Sequence, residues 1–174
     1  MEFDLDQAVA LLQTTPSILR AWLGSLPSAW VFSNNGEGTW SPYDVVGHLI
    51  LGEKTDWIPR AKIILSETEP KEFEPFDRFA MLADGPSTSM EALLDEFEGL
   101  RRETVERLRG FHITEADFGR TGLHPTLGEV TLRQLLATWV AHDLNHLGQI
   151  AEVMARQYKQ EVGPWKELLG ILGA

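Results

Sequence analysis

His142 and His146 stand four residues apart in the stretch WVAHDLNHLGQI, residues 139–150. An α-helix turns about 100° per residue, so this spacing returns the second imidazole to within roughly 40° of the first, one turn along the same face. Counted from Leu132, the residues Leu135, Leu136, Trp139, Ile150, Val153 and Met154 fall within roughly 60° of it. His146 lies inside that apolar stripe, Asp143 close to its middle and His142 near its edge. Two imidazoles and a carboxylate thus occupy a face where leucines are expected, and buried polar groups are costly unless something satisfies them. A divalent metal ion satisfies two histidines at this spacing. Core histidines hydrogen-bonded to neighbours would fit the same pattern, so the pair alone leaves both readings open and a third ligand decides between them.

The helix that carries the pair is predicted to start at Thr131, boxed with Gln134, and to run to about Lys159 before Gly163-Pro164 stops it; the tail around Trp165 and Leu169 reads as a short helix. Three further amphipathic segments must pack against it. The first covers residues 4–25, with Leu5, Val9, Leu12, Leu19, Trp22 and Leu23 on its apolar face and a kink or restart at Pro16, capped by Thr15. Pro27, Asn34, Asn35, Gly36 and Gly38 make residues 26–39 a loop. The second helix opens at WSPYDVVGHL, with Ser41 as N-cap, Pro42 at the first helical position and Asp44 completing the box; it runs to about Ser66 with a bend at Pro59. The third runs from Thr88, boxed with Glu91, to Gly110, and its apolar residues Leu93, Leu94, Phe97, Leu100, Val105 and Leu108 read as core. Residues 67–87 form a long acidic connection with a helical turn near Asp77 to Leu82, and residues 111–130 a loop. No segment reads as a convincing strand.

Four such segments predict an all-α four-helix bundle forming one domain over residues 1–174. Bundles build metal sites from inward side chains on facing helices. On helix two, Val45, His48, Leu49, Gly52, Asp56 and Ile63 share one face, so His48 is the third candidate ligand. Gly52, one turn on, leaves room for a ligand or a close helix contact. Asp56 reads as a rim charge or as a hydrogen-bonding group for a ligand. His48, His142 and His146 together offer three neutral nitrogens with positions left open, the pattern of a reactive metal site and not of a closed structural one.

Composition narrows the function classes. A formal net charge of −11 disfavours nucleic acid, whose phosphates an acidic surface repels. The absence of cysteine excludes thiolate ligands, disulfides and a cysteine nucleophile. No segment reaches the length of a membrane span and the acidic start MEFDLDQ lacks signal-peptide character, so a cytoplasmic protein is the expectation. H-E-x-x-H, G-x-S-x-G, a phosphate-binding glycine loop and any E-x-x-H ahead of a histidine are absent.

Taken in order, WSPYDVVGHL at 40–49, EKTDW at 53–57, EPFDRFA at 74–80 and HPTLGEVTLRQLLATWVAHDLNHLGQI at 124–150 resemble the DinB-like metal-binding superfamily of four-helix bundles. That group includes bacterial thiol transferases and proteins named as metal-dependent hydrolases. The resemblance implies one divalent metal held by His48, His142 and His146, helices running up-down-down-up with residues 67–87 as a crossover between helices two and three, and a homodimer. It does not assign a catalytic residue.

Imidazole suits Zn, Ni, Fe and Mn alike, so the ligands do not choose among them. Bound Zn²⁺ lowers the pKa of its water to about 7, which suits hydrolysis. A metal also stabilises a thiolate, which suits transfer of a low-molecular-weight thiol to a small-molecule substrate. The expected function is one of these two metal-assisted reactions; the alternative is a non-catalytic dimeric metal- or ligand-binding bundle. Asp143 reads as either an orienter of a ligating imidazole or a salt bridge to helix two or three. Asn145 points away from the stripe; His124 reads as a solvated loop residue, with a place over the site as the sharper option, and His112 as a surface residue.

Overall fold

Four helical rods carry the chain in the computed structural model, which describes residues 1–82 and 88–173. The first, α1 (Leu5–Leu23), is capped by Asp4, whose carboxylate accepts the Gln7 N–H at 2.8 Å. It runs through Pro16 as one continuous helix, with no restart there. A proline inside a helix leaves the carbonyl four residues back without its donor. Here that carbonyl belongs to Leu12, and the Arg101 guanidinium donates to it at 2.7 Å. Thr15 is accordingly not a cap: its hydroxyl donates to Asp143 at 2.6 Å.

The expected loop at 26–39 contains a short helix, α2 (Ser28–Phe32), which buries Val31 and stacks Phe32 on Tyr43 with ring centroids 4.9 Å apart. The second rod is two helices, α3 (Pro42–Thr55) and α4 (Trp57–Leu65). Ser41 and Asp44 form the predicted capping box, with Pro42 beside it. The break falls at Asp56, three residues before Pro59. A proline ring collides with the carbonyl four residues earlier, and that residue, Thr55, is the last of α3; Pro59 then sits in the first turn of α4, where no N–H is needed.

Of the 67–87 connection, residues 83–87 lie outside the described residues; Ala80–Leu82 form a short 3₁₀ turn. The third rod, α5 (Met90–Gly110), is capped by Ser89, whose hydroxyl accepts the Ala92 N–H at 3.1 Å, and not by Thr88. Thr88 is engaged elsewhere, its carbonyl accepting the Tyr43 hydroxyl at 3.1 Å. Residues 111–130 are more than loop: a 3₁₀ turn (Glu115–Gly119) leads into an antiparallel hairpin of β1 (Thr121–His124) and β2 (Gly128–Thr131), paired Thr121 to Thr131 through His124 to Gly128. The strands are four residues each and of mixed polarity, too short for alternation to announce them. Tertiary pairing supports them: Phe73 N–H donates to the Leu123 carbonyl at 2.9 Å, and Leu123 N–H to Lys71 at 2.8 Å. The fourth rod, α6 (Leu132–Arg156), starts on the predicted Thr131–Gln134 box and ends three residues short of Lys159.

Two core clusters give the topology. One joins Val9 and Leu12 of α1 to Ile58 of α4, Val105 and Leu108 of α5, and Leu132 and Leu136 of α6. The other joins Leu19 and Leu23 to Val45 and Leu49, Leu94 and Phe97, and Leu147 and Ile150. The start of α1 therefore lies with the end of α4, the end of α5 and the start of α6, an up-down-down-up bundle. Among the described residues no helix is long and apolar enough to cross a membrane.

Candidate metal centre

The Ser41 cap fixes the start of α3 and turns His48 inward, while α6 projects His142 and His146 from successive turns toward it. The three side chains converge through their Nε2 atoms: His48 to His142 at 3.0 Å and His142 to His146 at 3.1 Å. Candidate ligand atoms from all three lie within 4.8 Å of one another. His48 and His146 are buried and His142 half-buried. Aromatic rings wall them in: Trp40 packs 4.8 Å from His48 and stacks on His146, Phe76 meets the edge of His48, and Trp57 meets His142 at 5.1 Å.

Burial sets the protonation of the site. It holds His48 down to about 4, reinforced by His146. It holds His142 down to about 3, reinforced by His146, His48 and Arg101. His146 is lowered by burial too, opposed by Gln149 and Asp143. All three rings are therefore neutral near pH 7, the form that ligates metals. Gln149 Oε1 lies 2.8 Å from His146 Nδ1; a carbonyl oxygen can only accept, so Nδ1 carries the proton and Nε2 keeps a lone pair. The Arg78 carbonyl faces His48 without reaching hydrogen-bond geometry, and Nδ1 of both His48 and His142 is buried without a partner among the described residues. If these Nδ1 atoms carry the protons, three Nε2 lone pairs point at one another. A cation between them relieves that repulsion. Nitrogens bound at ~2.1 Å to one ion stand about 3.4 Å apart in tetrahedral and about 3.0 Å apart in octahedral coordination, so a donor set at 3.0 and 3.1 Å can close on a single divalent ion.

Beneath the histidines lies a buried charge network that ties together all four rods. Arg101 donates from Nη1 to Asp143 at 2.6 Å and from Nη2 to Glu53 at 2.7 Å. Thr104 and the Trp139 indole also donate to Glu53. Burial pulls Arg101 down, but Asp143 and Glu53 outweigh it and the guanidinium is held above its usual value. The network acts unevenly on the imidazoles above it: Asp143 favours positive charge at His146, while Arg101 opposes it at His142. Asp143 is thus held by Arg101 and Thr15, the salt-bridge arrangement of the two envisaged. Helix α5 is correspondingly more than apolar core: Arg101 and Thr104 share the face of Phe97, Val105 and Leu108. Their spacing on that stripe, like that of His48, was the available signal.

A cavity of about 720 Å³ opens over the triad. Gly52 makes its close contact with the Trp57 indole, which a Cβ would meet at 3.1 Å, and thereby seats the ring beside His142. Asp56 is buried and lines the cavity, its Oδ1 2.6 Å from Arg60 Nε. That contact is an ion pair without hydrogen-bond alignment. Burial raises the Asp56 carboxyl, and Arg60 opposes it. His124 lies not on a solvated loop but on β1, lining the cavity. Its Nδ1 accepts the N–H groups of Thr126 and Leu127, each at 3.2 Å, which leaves Nε2 as the protonated nitrogen. Asn145 and His112 are exposed; His112 takes the left-handed turn after α5, with φ of 51°.

The family model described as the DinB superfamily matches residues 11–150. A Geobacillus kaustophilus protein provisionally named a metal-dependent hydrolase is 28% identical over 158 residues, covering 88% of this chain and 86% of that protein. Among solved structures, Bacillus subtilis YfiT, described as a probable metal-dependent hydrolase with an unusual four-helix bundle topology, superposes with a TM-score of 0.74 at 24% identity, covering 88% of this chain and 87% of that one. A mycothiol-dependent maleylpyruvate isomerase superposes with a TM-score of 0.60 at 17% identity, covering 95% of this chain and 72% of that one. At these identities the structural likeness speaks for the fold.

Proposed function

This chain belongs to the DinB superfamily, and we propose that it is an enzyme that holds one divalent transition metal ion on Nε2 of His48, His142 and His146 and acts on a small molecule in the cavity above them. The observation that carries this reading is the convergence of three neutral imidazoles, two buried and one half-buried, at 3.0 and 3.1 Å with no group of the described residues between them. A bound ion of Zn, Ni, Fe or Mn would supply Lewis acidity, bringing water or a thiol toward its nucleophilic form near neutral pH. The protein's own share is positional. Gln149 orients the His146 ring, Trp40, Phe76 and Trp57 pack around the imidazoles and hold them in place, and the Arg101 network fixes the register of α6 from below. Gly52 seats Trp57, and Asp56 fixes Arg60 in the cavity wall. Hydrolysis is the first reading, supported by the name of the Geobacillus relative. Transfer of a low-molecular-weight thiol is the second, supported by the mycothiol dependence of the isomerase that shares the fold.

We propose further that residues 1–174 form one domain and that the protein is a cytoplasmic homodimer. Exposed Tyr158, Trp165, Leu168 and Ile171 near the carboxyl terminus offer apolar surface for pairing, and sedimentation at twice the 19.5 kDa chain mass is the expected result. To test the function, the metal-loaded protein is screened against ester and amide substrates and against thiol acceptors with several low-molecular-weight thiols. Turnover in one panel, abolished in His142→Ala, is expected. Background rates in both would leave a binding protein.

A further inference from the structure

The proposed metal centre occupies one part of the cavity; another part is built around Arg60. Arg60 as a residue is only 9% exposed, yet its guanidinium is incompletely used by the protein. Nε pairs with Asp56 at 2.6 Å, Nη2 makes a long contact of 3.4 Å to the Glu74 carbonyl, and Nη1 makes no hydrogen bond to a described residue. Nη1 is not among the sealed polar atoms, and Arg60 lines the cavity, so that edge of the fork opens on it. A buried arginine with an unspent donor edge is poised to take a planar oxyanion.

The surroundings favour an anion there despite a chain charge of −11. Of the acidic groups on the cavity wall, Asp56 is paired with Arg60 and Glu152 with Arg156 at 2.7 Å. Arg78 also lines the cavity, lies over the Phe79 ring and has no carboxylate partner among the described residues. His124, held with Nε2 protonated, adds a neutral donor on the same wall. Phe73 packs under the Arg60 guanidinium, 5.2 Å from its ring centroid, and with Trp40 and Phe76 gives the cavity flat apolar walls.

We infer that Arg60 anchors the carboxylate of a substrate whose remaining body is flat and apolar, presenting that body to the histidine centre. The inference rests on this cavity being the active site, as proposed above. A monoanionic carboxylate is favoured over a phosphate monoester because Asp56 stays beside the guanidinium, and its repulsion grows with the charge of the ligand. Arg60 is on this account a binding and positioning residue.

The test uses metal-free protein, so that a ligand cannot report through the metal, and ligand-observed NMR titration with three probes: benzoate, benzamide and phenyl phosphate. Benzoate is expected to bind at least ten times more tightly than benzamide and more tightly than phenyl phosphate. Arg60→Gln is expected to weaken benzoate at least tenfold and to leave benzamide within twofold. Benzoate no tighter than benzamide, phenyl phosphate bound best, or Arg60→Gln binding benzoate like the native chain would each overturn the inference; in the last case the Asp56 pair only fastens the α3–α4 junction. Should Arg60→Gln fail to fold, the three-probe comparison on the native chain decides alone. A parallel zinc titration separates the two readings: benzoate selectivity without zinc uptake sinks the metal proposal and keeps the anchor, and zinc uptake without selectivity does the reverse.

Discussion

Replacing Arg101 by methionine isolates the network that underlies the candidate site. Arg101, Glu53 and Asp143 are each 2% exposed, so the substitution strands two carboxylates and the Leu12 carbonyl in the interior. Breaking one buried ion pair by removing a partner costs about 3–5 kcal/mol, and an orphaned acceptor about 1–3 kcal/mol. Arg101 serves two carboxylates, so a loss of at least about 5 kcal/mol is expected, against a typical total stability of about 5–15 kcal/mol. In a chain of this size each kcal/mol moves Tm by roughly 2–4 °C, which predicts a fall of about 10–20 °C in thermal melts followed by circular dichroism on metal-free protein. Adding Glu53→Gln and Asp143→Asn to Arg101→Met removes the stranded charges and is expected to recover at least half of that fall. An Arg101→Met protein melting within about 3 °C of the native chain would refute the reasoning, because the network would then be incidental to the packing of the rods.

Other consequences follow from single contacts. Because burial lowers His48 and His142 to about 4 and 3, the unfolded chain takes up protons before the folded one does. Metal-free protein should therefore lose stability as pH falls from about 6.5 toward 4, and His142→Ala should flatten the dependence in a pH series of thermal melts. Gln149→Ala removes the acceptor at His146 Nδ1; metal affinity, read by competition with a chromogenic chelator, should drop about 10–100-fold with an unchanged melt of the metal-free protein. Gly122→Ala places a Cβ 2.6 Å from the Phe73 ring, and the overpacking should cost about 1–3 kcal/mol, seen as a lowered Tm and weakened benzoate binding.

The candidate ligands were legible because their signals are local. Capping residues fix where α3 and α6 begin, and helical periodicity then states which face each histidine occupies, without knowledge of any partner. The Asp56 break was half legible: Pro59 announces a disturbance, but the clash acts four residues upstream on Thr55, where the break is seen. Unbroken α1 was not legible at all, since it depends on Arg101, 89 positions away along the chain, reaching the carbonyl that Pro16 leaves free. The cavity wall failed for the same reason. His124 reads as a loop residue until Lys71 and Phe73 add their backbone to β1, and Arg60 and His124 share a cavity wall only once that hairpin stands.

The measurement that bears most directly on this account is elemental analysis of the protein purified without chelator or histidine tag, beside a His142→Ala/His146→Ala variant checked for folding. The account predicts about one equivalent of Zn, Ni, Fe or Mn in the native chain and none in the variant. Two equally folded proteins, both without metal and neither taking it up on addition, would contradict it and leave the three histidines as core residues of a bundle that shares only its architecture with metal-dependent relatives.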